Sequence, residues 1–406
     1  MAQYTAPLSG LRIIEISSFV AAPLCGLTLA QLGAEVIRID PIGGAADCNR
    51  LPVTDNGDSI YWSGLNRGKH SMSVDMHSRQ GRDLIRRIVT TPGSGNGILV
   101  TNAGGRNWCS HESLAQLRSD VITLEILGRR DGTPAVDYTV NAALGFPFIT
   151  GPENHSGVVN HTLPAWDVAC GLHAALSVTA AVRHRDITGH GSAITLPLED
   201  VALATAGTLG YLTEVQINGR SREACGNAVY GIYGIDFVSA DDERFMIVAL
   251  TTRHFRDLTS VTGTTTAVEA VETALGADFS AESDRYRHRE VLTALFTRWF
   301  REHSSTDIVA ALKNTSVLFE RYRSFADVAA SDALTANPMF TPLDQPRIGT
   351  YLAAANPAAF DGIHLGTGPA SPVGGDTVAV LRDLLGSTDQ QTAALIESGT
   401  IAIAPN

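Results

Sequence analysis

A carboxylate at the mouth of an apolar helix carries most of the chemistry visible in this sequence. Residues 163–171 read Leu163-Pro164-Ala165-Trp166-Asp167-Val168-Ala169-Cys170-Gly171, and from 168 to 182 there is no Asp, Glu, Lys or Arg. Small and apolar residues all round suit a helix buried on nearly every side, and Asp167 is the last charge before it. Two readings of that position stand open. As an N-cap, Asp167 accepts a backbone N–H at the helix start. As a nucleophile, it is kept ionised by the helix N-terminus while apolar neighbours such as Trp166 strip water from it, leaving it reactive toward an acyl group. Spacing does not separate the two, and one side chain can do both.

The elements that must position such a group begin at residue 11. Arg12-Ile13-Ile14-Glu15-Ile16 reads as a strand, 17–23 as a turn, 24–32 as a helix with Gly33 as its C-cap, and 35–40 as a second strand. A right-handed crossover places both strands in one parallel sheet. The turn lacks G-x-G-x-x-G, and its small residues, Ala21, Ala22 and Pro23, admit either a ligand close to the backbone or tight helix-to-strand packing. The glycine-bearing loop 41–50 has no Gly-Lys-Ser/Thr and is not a P-loop. Arg67 and Lys69 flank Gly68 in a turn, which suits gripping a phosphate or simply facing solvent. A strand at 98–102 runs into Ala103-Gly104-Gly105-Arg106, and one at 121–127 into Gly128-Arg129-Arg130-Asp131-Gly132. Repeatedly, a strand's carboxyl end delivers a glycine-bearing loop with arginine, the edge where open parallel sheets bind ligands.

At 406 residues the chain exceeds what one core usually supports, so two domains are expected. Composition shifts place a large domain at 1–217, a linker and small α+β domain at 218–325, and a C-terminal return to the large domain at 326–406. A net charge of −12 argues against nucleic acid or an anionic membrane as partner. Five scattered cysteines without a C-x-x-C pair indicate neither a metal site nor a disulfide framework and fit a reducing cytoplasmic setting. No basic-then-apolar leader stands at the N-terminus, and no apolar run is expected to reach bilayer-spanning length.

Together these strings resemble family III CoA-transferases. The resemblance runs through Leu11-Arg12-Ile13-Ile14-Glu15, Ala22-Pro23, the 32–40 stretch, Asp47 with Arg50, Asn66-Arg67-Gly68-Lys69, Asp167 with Gly171, Gly226-Asn227, Asn337-Pro338 and Gly374 with Thr377. It implies an α/β fold: a Rossmann-like parallel sheet in the large domain, a smaller α+β domain, and an interlocked homodimer. It implies that Asp167 is the nucleophile, that coenzyme A enters as part of the substrate with no tightly bound cofactor, and that the other partner is a dicarboxylic acid. The CoA moiety is expected across Val20, Ala21, Arg67, Lys69 and Arg106. The arginine that such proteins carry after the second strand is Pro41 here, so Arg38 or Arg50 is expected to supply that contact. Several strings, among them 19–23, 40–44, 128–132 and 159–167, resemble members that move CoA between the two carboxyl ends of one acid. Arg129, Arg130 and His161 are then candidates to hold the far carboxylate. Val136 stands where the racemases of the family place a histidine, before Asp137, so a two-base racemisation lacks one base. Ala228-Val229-Tyr230-Gly231 stands where formyl-CoA transferases carry a glycine run, which disfavours the alternative of an intermolecular transferase. A catalytically silent acyl-CoA-binding protein is the third reading.

Overall fold

The computed structural model describes residues 5–103 and 107–404. Consecutive apolar residues such as Ile13-Ile14, Val36-Ile37 and Leu99-Val100 are all buried, the pattern of strands covered on both faces. Six of them lie parallel: β1 (Arg12–Ile16), β2 (Glu35–Asp40), β3 (His70–Val74), β4 (Ile98–Thr101), β5 (Ile122–Leu127) and β6 (Ser192–Pro197). Their order is β3-β2-β1-β4-β5-β6, and Ile401–Ala402 adds an antiparallel strand beside β3. The order reverses between β1 and β4, so a crevice opens outside their carboxyl ends.

The chain folds as two compact units. The larger holds residues up to 144, 161–213 and everything from 335; the smaller holds 145–160 and 214–334. The excursion at 145–160, which has no periodicity to set it apart within 1–217, is tied into the smaller unit by the Gly226 N–H to the Gly151 carbonyl (3.0 Å) and by Arg289 to Glu153 (2.7 Å). The smaller unit is α+β: an antiparallel sheet of β7 (Tyr233–Val238), β8 (Arg244–Ala249) and β9 (Leu318–Arg321) packs helices over an aromatic core in which Phe237 stacks on Phe300 at 4.2 Å.

In the larger unit the Ala165–Thr188 helix overturns one expectation. It has the length and apolarity of a membrane span, but its small residues face inward: Cys170, Ala174 and Val178 are fully buried. A Cβ at Gly171 would lie 2.7 Å from the Ala21 carbonyl oxygen and 3.0 Å from the Leu24 side chain. Gly171 therefore lets this helix lie close against the Ala21–Gln31 helix, bringing Asp167 beside the turn that follows β1. The opposite face is not buried as the composition suggests: Leu172 and Leu176 are 49% and 64% exposed.

Candidate active site

Asp167 is the third residue of its helix, and it is not the cap. Pro164 occupies the N-cap position and offers no side-chain bond. The capping is done from thirty residues upstream, where the buried Asp137 Oδ2 accepts the N–H groups of Trp166 (2.7 Å) and Asp167 (3.1 Å). Its Oδ1 lies 2.7 Å from His161 Nε2. Two of the donors that every helix start leaves open are thus satisfied by Asp137, and the Asp167 carboxylate has no hydrogen bond or ion pair among the described residues. It faces a cavity of about 480 Å³ whose walls include Phe19, Val20, Arg50, Tyr61 and Tyr138. Burial, and then the neighbouring Asp137 charge, raise its pKa to about 6, with Arg50 pulling the other way. At neutral pH the group is ionised and poorly solvated, the condition of a reactive carboxylate.

The turn between β1 and the Ala21–Gln31 helix forms the facing wall. Phe19 sits at φ +64°, a conformation unusual for an aromatic residue. Asp47 Oδ2 accepts the Phe19 N–H at 2.9 Å, and Asn102 pins Ser18 with two bonds, its Oδ1 accepting the Ser18 N–H (3.0 Å) and its Nδ2 donating to the Ser18 carbonyl (2.8 Å). Val20 is the N-cap of its helix and its side chain makes no capping bond, so among the described residues the first-turn N–H groups of Ala21 and Ala22 beside the cavity are open to a ligand oxygen. Val20 and Ala21 therefore share one space with Asp167.

The basic residues divide sharply. Arg38 is buried and closes on Asp40 (2.9 Å) and Asp47 (3.3 Å), and Lys69 Nζ donates to Glu15 (3.0 Å), the Pro23 carbonyl (2.8 Å) and Asn66 (3.0 Å). A Cβ at Gly26 would fall 1.7 Å from a Glu15 oxygen, so that glycine makes room for the pair. Arg67 is buried too, donating to the carbonyls of Gly64 (3.2 Å) and Ala354 (3.0 Å). Where phosphate contacts were expected, Arg38 and Lys69 thus give their donors to internal acceptors, and Arg67 gives its Nε and Nη2 groups to main-chain carbonyls. Arg129 pairs with Glu199 (3.2 Å) and Arg130 with Asp200 (2.6 Å), and neither lines the cavity, so the expectation that they hold a carboxylate there is corrected as well. His161 stands behind Asp137 rather than in the cavity wall. Arg106 falls outside the described residues. Among the described residues, Arg50 is the one named arginine that lines the cavity with Asp167.

Sequence reasoning missed Tyr61, whose buried hydroxyl has no hydrogen-bond partner among the described residues, and the capping role of Asp137. Only the proximity of Asp137 to the odd Val136 pointed there. Among the described residues no group of three His, Cys, Asp or Glu side chains is arranged to hold a metal.

A doubly wound sheet with a poorly solvated carboxylate at its switch-point crevice is an arrangement that could take up an acyl group. The family model of CoA-transferase family III matches residues 8–377, and the chain belongs to that family of enzymes. The 2-methylfumaryl-CoA isomerase of Chloroflexus aurantiacus is 42% identical over 399 residues, covering 97% of this chain and 98% of that protein. The succinyl-CoA:mesaconate CoA-transferase of Haloarcula hispanica is 25% identical over 358 residues, 84% of this chain and 86% of its own. In fold, the chain matches a CAIB/BAIF family protein from Brucella suis with a TM-score of 0.77 at 23% identity, over 94% of this chain and 100% of that one.

Proposed function

We propose that this enzyme moves coenzyme A between the two carboxyl groups of one unsaturated dicarboxylic acid, 2-methylfumarate, with Asp167 as nucleophile. The observation that carries the reading is the half-buried Asp167 carboxylate, unpartnered among the described residues and facing a cavity of about 480 Å³. The 42% identity to a 2-methylfumaryl-CoA isomerase supports the choice of acid.

An Asp167 oxygen bonds to the thioester carbonyl carbon, the C–S bond breaks, and CoA thiolate leaves on its electron pair, giving a mixed anhydride. The thiolate then attacks the aspartyl carbonyl, and the substrate carboxylate departs from an aspartyl thioester. The freed acid turns, its other carboxylate attacks that thioester and expels CoA thiolate to give a new anhydride, and the thiolate attacks the acid's carbonyl there, with the Asp167 carboxylate as leaving group. No proton and no second acid enters, but water would hydrolyse the anhydride, so the cavity must stay closed while the acid turns. Val20 and Ala21 border the path of the pantetheine arm, with CoA as part of the substrate and no resident cofactor. Leu172, Leu176 and Ile187, exposed on the Asp167 helix at 49%, 64% and 64%, support a homodimer in which a second, interlocked copy covers that face.

Incubating the protein with 2-methylfumaryl-CoA alone and following the ester position by chromatography tests the reading. Isomerisation without added acid is expected, with hydroxylamine or borohydride marking Asp167 during turnover. A strict need for a second carboxylic acid makes the enzyme an intermolecular transferase instead. An unmarked Asp167 removes the covalent route.

A further inference from the structure

Resting on that reading, we infer that Arg50 holds the free carboxylate of the acid, rather than a phosphate of CoA, and so sets the preference for dicarboxylic substrates. Arg50 is the one basic side chain lining the Asp167 cavity among the described residues. Its guanidinium lies 5.4 Å from the Phe19 ring centre and 5.2 Å from that of Tyr61 and makes no ion pair among those residues. Its main chain is fixed on both sides: its N–H donates to the Asp47 carbonyl (3.1 Å), and its carbonyl accepts from Ser59 Oγ (2.5 Å). The same Ser59 oxygen caps the Ile60–Asn66 helix by accepting the Trp62 N–H (3.0 Å), which ties Arg50 to the helix bearing Tyr61. Two aromatic faces hold the planar fork in place, and Tyr61, whose buried hydroxyl has no hydrogen-bond partner among the described residues, belongs to the same cavity wall.

The charge balance demands such a group. Asp137 and Asp167 both line this cavity, so a substrate bringing a second free carboxylate meets two like charges, and Arg50 is the compensation at hand. A phosphate is the wrong partner by length. The whole pantetheine arm separates the thioester from the diphosphate, whereas Arg50 is near enough to Asp167 to act on its charge. The arrangement also suits an isomerisation: one cation receives whichever carboxyl is not esterified, so both isomers are held through the same group as the acid turns.

The test compares the wild type with Arg50→Gln and Arg50→Lys at pH 8, where Asp167 is ionised throughout. Two thioesters are used, 2-methylfumaryl-CoA and tiglyl-CoA, in which a methyl group replaces the free carboxylate. Acylation of Asp167 is followed by hydroxylamine trapping, and binding of free CoA and of free 2-methylfumarate by calorimetry. For Arg50→Gln the expected result is a loss of about 10- to 100-fold in kcat/KM with 2-methylfumaryl-CoA, a change of under about 3-fold with tiglyl-CoA, unaltered CoA binding and weakened 2-methylfumarate binding. Arg50→Lys should recover part of the loss. Equal losses with both thioesters, or a matching loss of CoA affinity, overturn the inference. If the wild type fails to isomerise 2-methylfumaryl-CoA, the functional reading falls by itself. Arg50 is then judged on the free acids: equal weakening of 2-methylfumarate and tiglate binding in Arg50→Gln rejects it, and selective weakening of the dianion supports it.

Discussion

Two groups of charges in the larger unit are built on opposite rules. Under the carboxyl ends of β1 and β2, Glu15, Arg38, Asp40, Asp47 and Lys69 are all buried and close on one another through ion pairs and hydrogen bonds. Across the Phe19 turn, Asp167 and Arg50 share a cavity, and neither has an ion-pair partner among the described residues. The first group repays its desolvation with mutual contacts and, through the bond from Asp47 to the Phe19 N–H, holds the turn that walls the second. The second keeps its charges uncompensated, which costs stability and preserves reactivity. Basic residues close together in the sequence thus serve different ends, according to whether the fold supplies them with an acid.

The contrast is tested hardest at Asp167. Asp167→Ala is expected to abolish turnover, by on the order of 10⁴-fold or more, in the chromatographic assay. Its stability effect should have the opposite sign. The folded-state pKa is raised from 3.8 to about 6, so the contribution of this group is full below about 3.8 and is lost as pH rises through about 6. Asp167→Asn removes that penalty, and in urea melts at pH 8 it should be more stable than wild type by on the order of 2 kcal/mol. A variant that is both inactive and unstable would place Asp167 in the first group.

Lys69→Met probes the paired group. It leaves buried Glu15 with only the more distant Arg38, 3.8 Å away, as its cation, at a cost of about 3 kcal/mol in the same melts. Corrected for folded fraction, KM for the CoA ester should stay within about 2-fold, since Lys69 donates inward to Glu15, Pro23 and Asn66. A KM that rises steeply while stability holds would return Lys69 to the phosphate role expected from its turn.

Asp137 bridges the two rules, since it is buried and hydrogen-bonded yet borders Asp167. In the wild type, kcat/KM should climb through pH 6 as Asp167 ionises. Asp137→Asn removes the neighbouring negative charge, so that midpoint should move to lower pH. Weakening the cap at Trp166 and Asp167 should also slow turnover by roughly 5-fold, the equivalent of about 1 kcal/mol. A slower enzyme with an unmoved midpoint would make Asp137 a cap and nothing more.

Much of this frame was legible beforehand. The alternation of apolar strands with helices and glycine turns predicts the parallel sheet, because strand-helix-strand connections have one favoured hand. Asp167 stood out because the residues after it carry no charge. The split among the basic residues was not legible: whether Arg38, Arg50 or Lys69 meets an acid depends on Glu15, Asp40 and Asp47, brought together only by the pairing of β1, β2 and β3. The cap from Asp137 was hidden for the same reason, since it acts across thirty residues where local rules look for a partner within three. The excursion at 145–160 has no hydrophobic period of its own.

The smallest expected effect is the most discriminating about how arginines are read from a sequence. Arg130 sits in a glycine-bearing loop after β5, the position at which a parallel sheet presents ligand contacts, and its loop resembles that of proteins acting on dicarboxylic acids. In the fold it is 82% exposed and bonded to Asp200 at 2.6 Å. An exposed pair of this kind contributes about 0–1 kcal/mol, so Arg130→Ala should change stability by under about 1 kcal/mol and kcat/KM for 2-methylfumaryl-CoA by less than about 2-fold. Arg50, further from any glycine-rich strand end, should outweigh it by an order of magnitude in the same assay. Reversal of that ranking would mean that the acid's free carboxylate is met outside the Asp167 cavity, and that the unpaired arginine inside it serves some other group.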